Sequence, residues 1–295
     1  VIGMSFSSWD ALVELPREKY GALLRIVPDT PWTTTPLQAI RTRKASVYVD
    51  STDDPRNLVV RLRGGNEPGD HDQAYVYGHP SLEGLRAFVS SVSRATEFIV
   101  DEELTPMVLE LHPSATPREA ITFWLETPDP PRPTAETVPV RRLRVNDAEA
   151  AQRLIPHWAY RTFESPKDMI VAGGCYGVEE DGKLVSVAYV ADQSIKYARI
   201  AVVTAEPYRR RHYGLAAANK LMEHVVGDGR LVCALAPRRD APAVHFALKL
   251  GFPQKALLRT YKAQPKADSP PTTGSIGPSA ASSAESTSSS SQKQG

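Results

Sequence analysis

Between an apolar run, ARIAVVT (198–204), and an alanine-rich run, LAAANKL (215–221), the chain carries Arg209, Arg210, Arg211, His212, Tyr213 and Gly214 in succession. Three guanidinium groups offer forked donors that match phosphate oxygens. A strand that leads through a turn into a helix also aims the helix's first free N–H groups, and the positive end of its dipole, out of the sheet. Gly214 has no Cβ to hold a ligand away from the backbone. The segment therefore reads as a polyphosphate cradle. A charge run taken alone is as well explained by a solvated loop or a weak nucleic-acid contact; the strand–turn–helix setting favours the cradle. Two other nucleotide motifs are absent, because there is no Lys-Ser/Thr ending of a P-loop and no full GxGxxG with an acidic residue ~20 positions on.

The cluster is local. The chain has 295 residues with 35 Lys and Arg against 34 Asp and Glu, and no further interleaving of basic and aromatic residues, which disfavours nucleic acid as a partner. Its two cysteines, Cys175 and Cys233, stand in no CxxC or Cys/His pattern, so neither a disulfide framework nor a metal site is expected. Asp70, His71 and Asp72 could suggest a metal site, but they follow GGNEPG (64–69) and read as a solvated turn. The segment VIGMSFSSWDALVELPREKY (1–20) has no basic region leading into a long apolar core, and no run of ~18 apolar residues occurs anywhere. The expectation is a cytoplasmic protein with no membrane partner.

Stepping outward from the cradle, hydrophobic periodicity supplies the elements that must hold it. The first segment alternates an amphipathic helix over 9–27, strands at ASVYVD, NLVVRLRG and AYVYG, a helix at LEGLRAFVSSVS and a strand at EFIVD. The second opens with a helix capped by Asn146 or Asp147 and carrying Ala150, Leu154 and Ile155. After a further helical stretch, Glu180, Asp181 and Gly182 signal a hairpin. Then come the central strand 198–204, the cradle, a helix over about 214–226, the strand LVCALAP, a helix over DAPAVHFALKL ended by Gly251, and the strand KALLRTYK. Two composition breaks divide the chain: TPDPPRPTAETVPV (127–140), rich in proline, and the Ser/Pro-rich stretch from 264 onward. The domains expected are a mixed α/β, non-catalytic one over 1–127, a linker over 128–139, a second domain over 140–263 and a disordered tail over 264–295.

From Ala198 to Phe252 the sequence resembles the acyl-CoA-binding core of the GNAT superfamily of N-acyltransferases. Those enzymes carry Arg/Gln-x-x-Gly-x-Gly/Ala after their fourth strand. Here Arg211 to Ala216 matches with glycine at Gly214, while a second register, Arg209 to Gly214, puts His212 where the first glycine is expected. Both registers stay open at this point. The family's closing Asn, Ala, aromatic and Leu-Gly-Phe are similar to the run from Asp240 to Phe252, DAPAVHFALKLGF, which ends in Leu250-Gly251-Phe252. The resemblance covers roughly 140–262 and implies a mixed central sheet flanked by helices. The preceding α/β half, in layout, is similar to the degenerate GNAT-like half found in glycine N-acyltransferase-like and some bacterial members.

The resemblance further implies acetyl-CoA or another acyl-CoA as co-substrate and an amine as acceptor. The cofactor residues it implies are Val202, Val203, Thr204, Arg209, Arg210, Arg211, His212, Tyr213, Gly214, Leu215, Ala216 and Asp240. In the family a Glu on or near the fourth strand often takes the amine's proton, and a Tyr before Leu-Gly-Phe often protonates the leaving thiolate. Strand 198–204 has no Glu, so Glu206 just beyond it is the base candidate; the Tyr position is Ala247. Tyr213 is carried as a further catalytic candidate, though it suits the lining of the cofactor loop better than proton chemistry. His245 points roughly 200° away from Ala247 around a helix and is expected to be buried or capping. The function expected is N-acyl transfer, acetyl above all, to a small amine or to an amino-terminal or lysyl amine. A non-catalytic acyl-CoA-binding regulator is the alternative, and the acceptor and oligomeric state are left open.

Overall fold

Asp181 and Gly182 both adopt left-handed backbone conformations, with φ of 51° and 70°. That is the two-residue turn whose twist suits a tight hairpin. It joins two strands of a computed structural model that describes residues 12–65, 70–127 and 138–264. The expected linker and tail lie outside the described residues, apart from residues 138, 139 and 264.

In the first half the elements are β1 (Val13–Glu14), α1 (Tyr20–Leu23), α2 (Thr34–Arg41), β2 (Ser46–Val49), β3 (Leu58–Leu62), β4 (Asp72–Tyr77), α3 (Leu82–Ser90), β5 (Thr96–Ile99), α4 (Thr105–Leu111) and β6 (Thr116–Trp124). The second half supplies β7 (Arg141–Arg142), α5 (Ala148–Gln152), α6 (Pro166–Gly173), β8 (Cys175–Glu180), β9 (Lys183–Gln193), β10 (Tyr197–Thr204), α7 (Tyr213–Gly227), β11 (Leu231–Pro237), α8 (Ala241–Lys249) and β12 (Gln254–Ala263). The expected helix over 9–27 is not there among the described residues. Pro16 cannot donate a helical hydrogen bond, and Val13 and Glu14 instead pair with Val49 and Tyr48 of β2.

The twelve strands among the described residues form one mixed sheet in the order β1-β2-β3-β4-β5-β12-β6-β11-β10-β9-β8-β7. The order reads as two six-strand halves related by a pseudo-twofold, with one exchange: each half's last strand crosses into the other. β6 pairs with β11, β12 pairs with β5, and β6 and β12 pair with each other over nine residues, Thr116–Trp124 against Gln254–Lys262. In each half a parallel pair, β4 with β5 and β10 with β11, is bridged by a helix, α3 or α7. The mixed sheet flanked by helices, and the related half before it, agree with the fold class expected.

Side-chain alternation along these strands divides the core. Phe123, Leu125, Val232, Ala236, Ala198 and Ile200 pack beneath α7 and α8, and Val187, Tyr189, Ala201 and Val203 pack beneath α5 and α6. α2 belongs to the first half in sequence but bonds to the second. Gln38 Nε2 donates to Thr162 Oγ1 at 2.8 Å, its Oε1 accepts from Gln193 N at 2.7 Å, and Thr35 donates to Asp192 at 2.9 Å. Asp192 also holds Arg199, the one charged residue in the run 198–204, through Nε at 3.0 Å. Burial disfavours the Arg199 charge, but the Asp192 carboxylate more than offsets it and raises the guanidinium's pKa.

Asp70, His71 and Asp72 are not a solvated turn. Asp72 is fully buried at the start of β4, accepting from Arg61 Nε and Nη2 at 2.9 and 2.6 Å and from the Gly64 N–H at 2.9 Å. Asp70 meets His157 Nε2 of the second half at 3.0 Å. His71 Nε2 donates to Glu97 at 2.9 Å, while Thr260 of β12 donates to the other Glu97 oxygen at 2.6 Å. Arginine and carboxylate partners across strands turned these polar residues inward. No group of three or more potential metal ligands occurs among the described residues.

Burial opposes the Glu97 charge, but the hydrogen bonds from His71 and Thr260 and the His71 charge outweigh it, holding the carboxyl at about 2 against an ordinary 4.5. A depressed acid stabilises the fold fully above its unfolded value and loses that contribution as pH falls toward the folded value. Between pH 4.5 and about 2 the protein is therefore expected to lose on the order of 3 kcal/mol through this group. Glu97→Gln should be less stable at neutral pH and show a shallower acid limb in urea unfolding followed across pH. An acid limb of unchanged slope in the variant would remove Glu97 as its source.

Candidate functional site

β10 is paired with β9 from Ala198 to Thr204. On its other side it is paired with β11 only at Tyr197, Ala198 and Arg199, against Leu231, Val232 and Cys233. Beyond that point β11 follows β6, from Cys233 opposite Trp124 to Pro237 opposite Ala120. The two parallel strands thus part, and the edge of β10 over 200–204 has no ladder partner on the β11 side. Parallel strands usually bond along their whole overlap; a gap bordered by free N–H and C=O groups can take an extended polar chain in place of a strand.

The end of β10 leads through a tight turn, Glu206–Tyr208, into the basic segment and α7. Gly214, in the first turn of α7, sits against the end of β10. A Cβ there would lie 3.1 Å from Thr204 Oγ1, 3.1 Å from Val202 Cγ1 and 3.7 Å from Phe246 of α8. This contact sets the helix start directly above the gap. His212, the residue before α7, has φ of 61°, a left-handed position that costs a side-chain-bearing residue about 1 kcal/mol and glycine little. That is the place of the first glycine in the register Arg209 to Gly214, so the backbone matches this register.

Hydroxyl or carboxylate caps close α3, α6 and α8: Ser81 accepts from Gly84 N, Ser165 from Asp168 N and Asp240 from Ala243 N. The N-terminus of α7 has no side-chain cap. Its first N–H groups are left for an anion, with the helix dipole favouring negative charge. Ala216 lies beyond them, since its N–H donates to His212 O at 3.0 Å.

The three arginines behave differently. Arg209 folds back, its Nε donating to Thr204 O at 3.3 Å. Arg211 pairs with Glu180 of the hairpin at 2.8 Å and lies 5.4 Å from the Tyr208 ring centroid. Arg210, exposed and left-handed with φ of 64°, has no ion pair among the described residues. Tyr213 donates its hydroxyl to Glu180 at 2.6 Å, and this bond first of all raises its pKa above the ordinary 10. Glu180 escaped the sequence reading because it works across a hairpin, 31 residues from Arg211. Ser186 escaped it too: this fully buried hydroxyl meets Thr204 Oγ1 at 2.8 Å and fixes the end of β10.

Val202, Val203 and Thr204 line the unpaired end of β10, and Leu215 is half-buried in the first turn of α7. Glu206 is exposed beside the gap. Asp240 lies apart, as the cap of α8. Ala247 is buried in the core beneath α8, where no phenol would fit without repacking. His245 is exposed on α8, neither buried nor capping, because Asp240 already supplies the cap.

These features have counterparts in known proteins. Residues 140–252 match the model of the acetyltransferase (GNAT) family. An uncharacterized N-acetyltransferase of Streptomyces virginiae is 27% identical over 221 residues, spanning 70% of this chain and 86% of that protein. Among solved structures, a GCN5-related N-acetyltransferase-like protein from Streptococcus suis superimposes with a TM-score of 0.60 at 16% identity, over 83% of this chain and 98% of that one. A tandem GNAT protein from the clavulanic acid biosynthesis pathway does so with a TM-score of 0.59 at 15% identity, over 86% and 98%. The structural likenesses speak for fold alone, and they agree with the two related halves seen here. The strand gap, the close-packed Gly214 and the match to the acetyltransferase (GNAT) family model all fall between Val140 and Phe252.

Proposed function

We propose that the protein transfers an acyl group, acetyl in the simplest case, from acyl-CoA to an amine. The carrying observation is the coincidence of an unpaired strand edge over 200–204 with an uncapped helix N-terminus held against it by Gly214. The edge of β10 would hold the amide-bearing arm of the co-substrate, and the first N–H groups of α7 with Arg210 would hold its pyrophosphate. Acyl-CoA supplies an activated thioester carbonyl. The amine nitrogen forms the new C–N bond, the C–S bond breaks, and the sulfur leaves as thiolate.

Proton transfer falls to the chain's own groups. Glu206 is the base candidate, reaching the amine through water from its exposed position. Tyr213 stays protonated through neutral pH, because its bond to Glu180 raises its pKa, and is the acid candidate. A thiolate is a good enough leaving group to depart without an acid, since a thiol has a pKa of about 8.5. Both cysteines are free and buried, which suits a reducing compartment, and we infer the cytoplasm as the place of action.

Thiol release from acetyl-CoA over a panel of amines tests the activity, and calorimetry with acetyl-CoA separates binding from turnover. Binding without release on any amine would leave a regulatory acyl-CoA-binding protein instead. The initial rate should rise with pH until the acceptor amine is deprotonated, with no falling limb below pH 10. A falling limb in that range, abolished by Tyr213→Phe, would overturn this profile and make Tyr213 an acid titrating within it. Arg210→Ala should weaken acetyl-CoA about 10-fold, a charge-assisted bond discounted for exposure. Gly214→Val should abolish binding while the protein stays folded by circular dichroism, whereas His212→Gly should keep binding and raise Tm slightly. Equal affinity in all three variants would put the co-substrate elsewhere.

A further inference from the structure

A second gap opens in the first half of the sheet. β4 and β5 are paired from Asp72 with Thr96 to Tyr75 with Ile99, and β5 then ends while β4 runs on to Tyr77 and β12 runs on past Thr260 to Gln254. The space left between β4 and β12 is a cavity of about 430 Å³, whose walls include Trp32, Tyr77, Ile99, Thr122 and Leu258, with Asp101 beside them. The size suits a small organic molecule.

Thr122, on β6 opposite Ala256 of β12, is 2% exposed, and its hydroxyl has no hydrogen-bond partner. A buried hydroxyl left unpaired is destabilising, and a group inside the cavity that bonds to it relieves that cost. At the other end Asp101 makes no cap bond at the turn it precedes and has no ion pair among the described residues. Glu102 pairs with Arg259 at 3.6 Å, while Glu119 is held by Arg238 at 2.6 Å as well as by Arg259 at 3.4 Å, so the net negative charge of this end is that of Asp101. Burial first, then the neighbouring Tyr75 and Asp101, push the Tyr77 phenol well above its ordinary range. It remains a neutral donor.

The topology that produced this gap resembles that of the β10–β11 gap, but the charge is opposite. The start of α3 is closed by Ser81, and the cavity wall carries two carboxylates, Asp101 and Glu102, against one guanidinium, Arg259, where the other gap has three arginines beside it. A polyphosphate is repelled and a cation attracted. Along β12, Asp101 stands level with Leu258 and Thr122 with Ala256, from the pairing of Ile99 with Thr260 and of Thr122 with Ala256. Two residues of strand are roughly 7 Å, and two strand spacings, from β5 across β12 to β6, separate them sideways by about 10 Å. The polar ends are thus about 12 Å apart, with an aromatic and aliphatic wall between.

We propose that this cavity is a binding site for an apolar molecule, aromatic or of similar bulk, that carries a primary amine at one end and a hydrogen-bonding group at the other. The amine meets Asp101 and the second group meets Thr122. The site stands independently of acyl transfer in the second half of the chain.

Titration of the full chain by calorimetry with three probes tests it: tyramine, which has both groups, phenethylamine, which lacks the hydroxyl, and 4-ethylphenol, which lacks the amine. Tyramine should bind most tightly, each single-group probe several-fold more weakly. Thr122→Val, which keeps the side chain's volume, should make tyramine and phenethylamine equal. Asp101→Asn should remove the advantage of tyramine over 4-ethylphenol. Leu258→Trp, filling the space, should abolish binding of all three while acetyl-CoA affinity is unchanged. Absence of binding by all three probes at millimolar concentration would overturn the proposal. So would preferences that survive both polar substitutions, or a Thr122→Val protein of raised Tm and unaltered affinities, which would mean that Thr122 faces only water.

Discussion

The nine-residue pairing of β6 with β12 is the constraint from which the rest of the molecule follows. Each of these strands ends one half of the chain and is built into the other, so neither half closes its sheet without its neighbour. The exchange also fixes the gaps. β11 bonds to β6 from Cys233 to Pro237 and is thereby held away from β10. β12 outruns β5 by the residues from Gln254 to Arg259, which leaves the space beside Tyr77. Gaps that in an ordinary sheet would be faults in pairing are here imposed by a long ladder whose many bonds outweigh the few forgone.

Polar contacts between the halves reinforce this pairing, and their character is ionic. Asp192 with Thr35, Glu97 with Thr260 and Asp70 with His157 cross between the halves, while Arg199 and His71 hold the first two of these carboxylates from within their own half. Buried pairs of this kind add little net stability over a well-packed apolar core, but breaking one strands a charge. Their effect is selectivity of assembly: only the register that brings every carboxylate to its partner leaves no charge unmatched. That also explains why Asp70, His71 and Asp72 look like turn residues in sequence and yet lie in or beside the sheet.

Much of the second half was legible because its signals are local. Asp181-Gly182 specifies a hairpin by its φ values, ARIAVVT specifies an interior strand by composition, and Gly251 follows the last turn of α8 with φ of 76°. The first half was read less well. Pro16 and the pairing of Val13 with Val49 defeated a helical pattern, and β6, with α2 and α4, did not emerge from periodicity. The strand exchange is invisible to any local reading, since β12 and β5 meet across some 160 residues, as Thr260 and Ile99 do. Within the cradle, the arginine triplet was visible but its division was not. Glu180 neutralises Arg211, and the end of β10 draws in Arg209.

Two halves with the same order of strands and helices therefore differ in chemistry through a few residues at equivalent places. At the start of α3, Ser81 takes up Gly84 N, and a capped helix has little to offer an anion. At the start of α7 the corresponding groups are uncapped, and Gly214 lets the helix come within contact of Val202 and Thr204. A Ser hydroxyl cap is worth about 1 kcal/mol to a helix, so α7 forgoes that stabilisation, and His212 adds a left-handed strain of similar size. Strain and missing caps cluster where a ligand restores what the free protein lacks. By that measure the second half carries a stability deficit at the mouth of the β10–β11 gap. In the first half the unpaired hydroxyl of Thr122 lies inside the cavity.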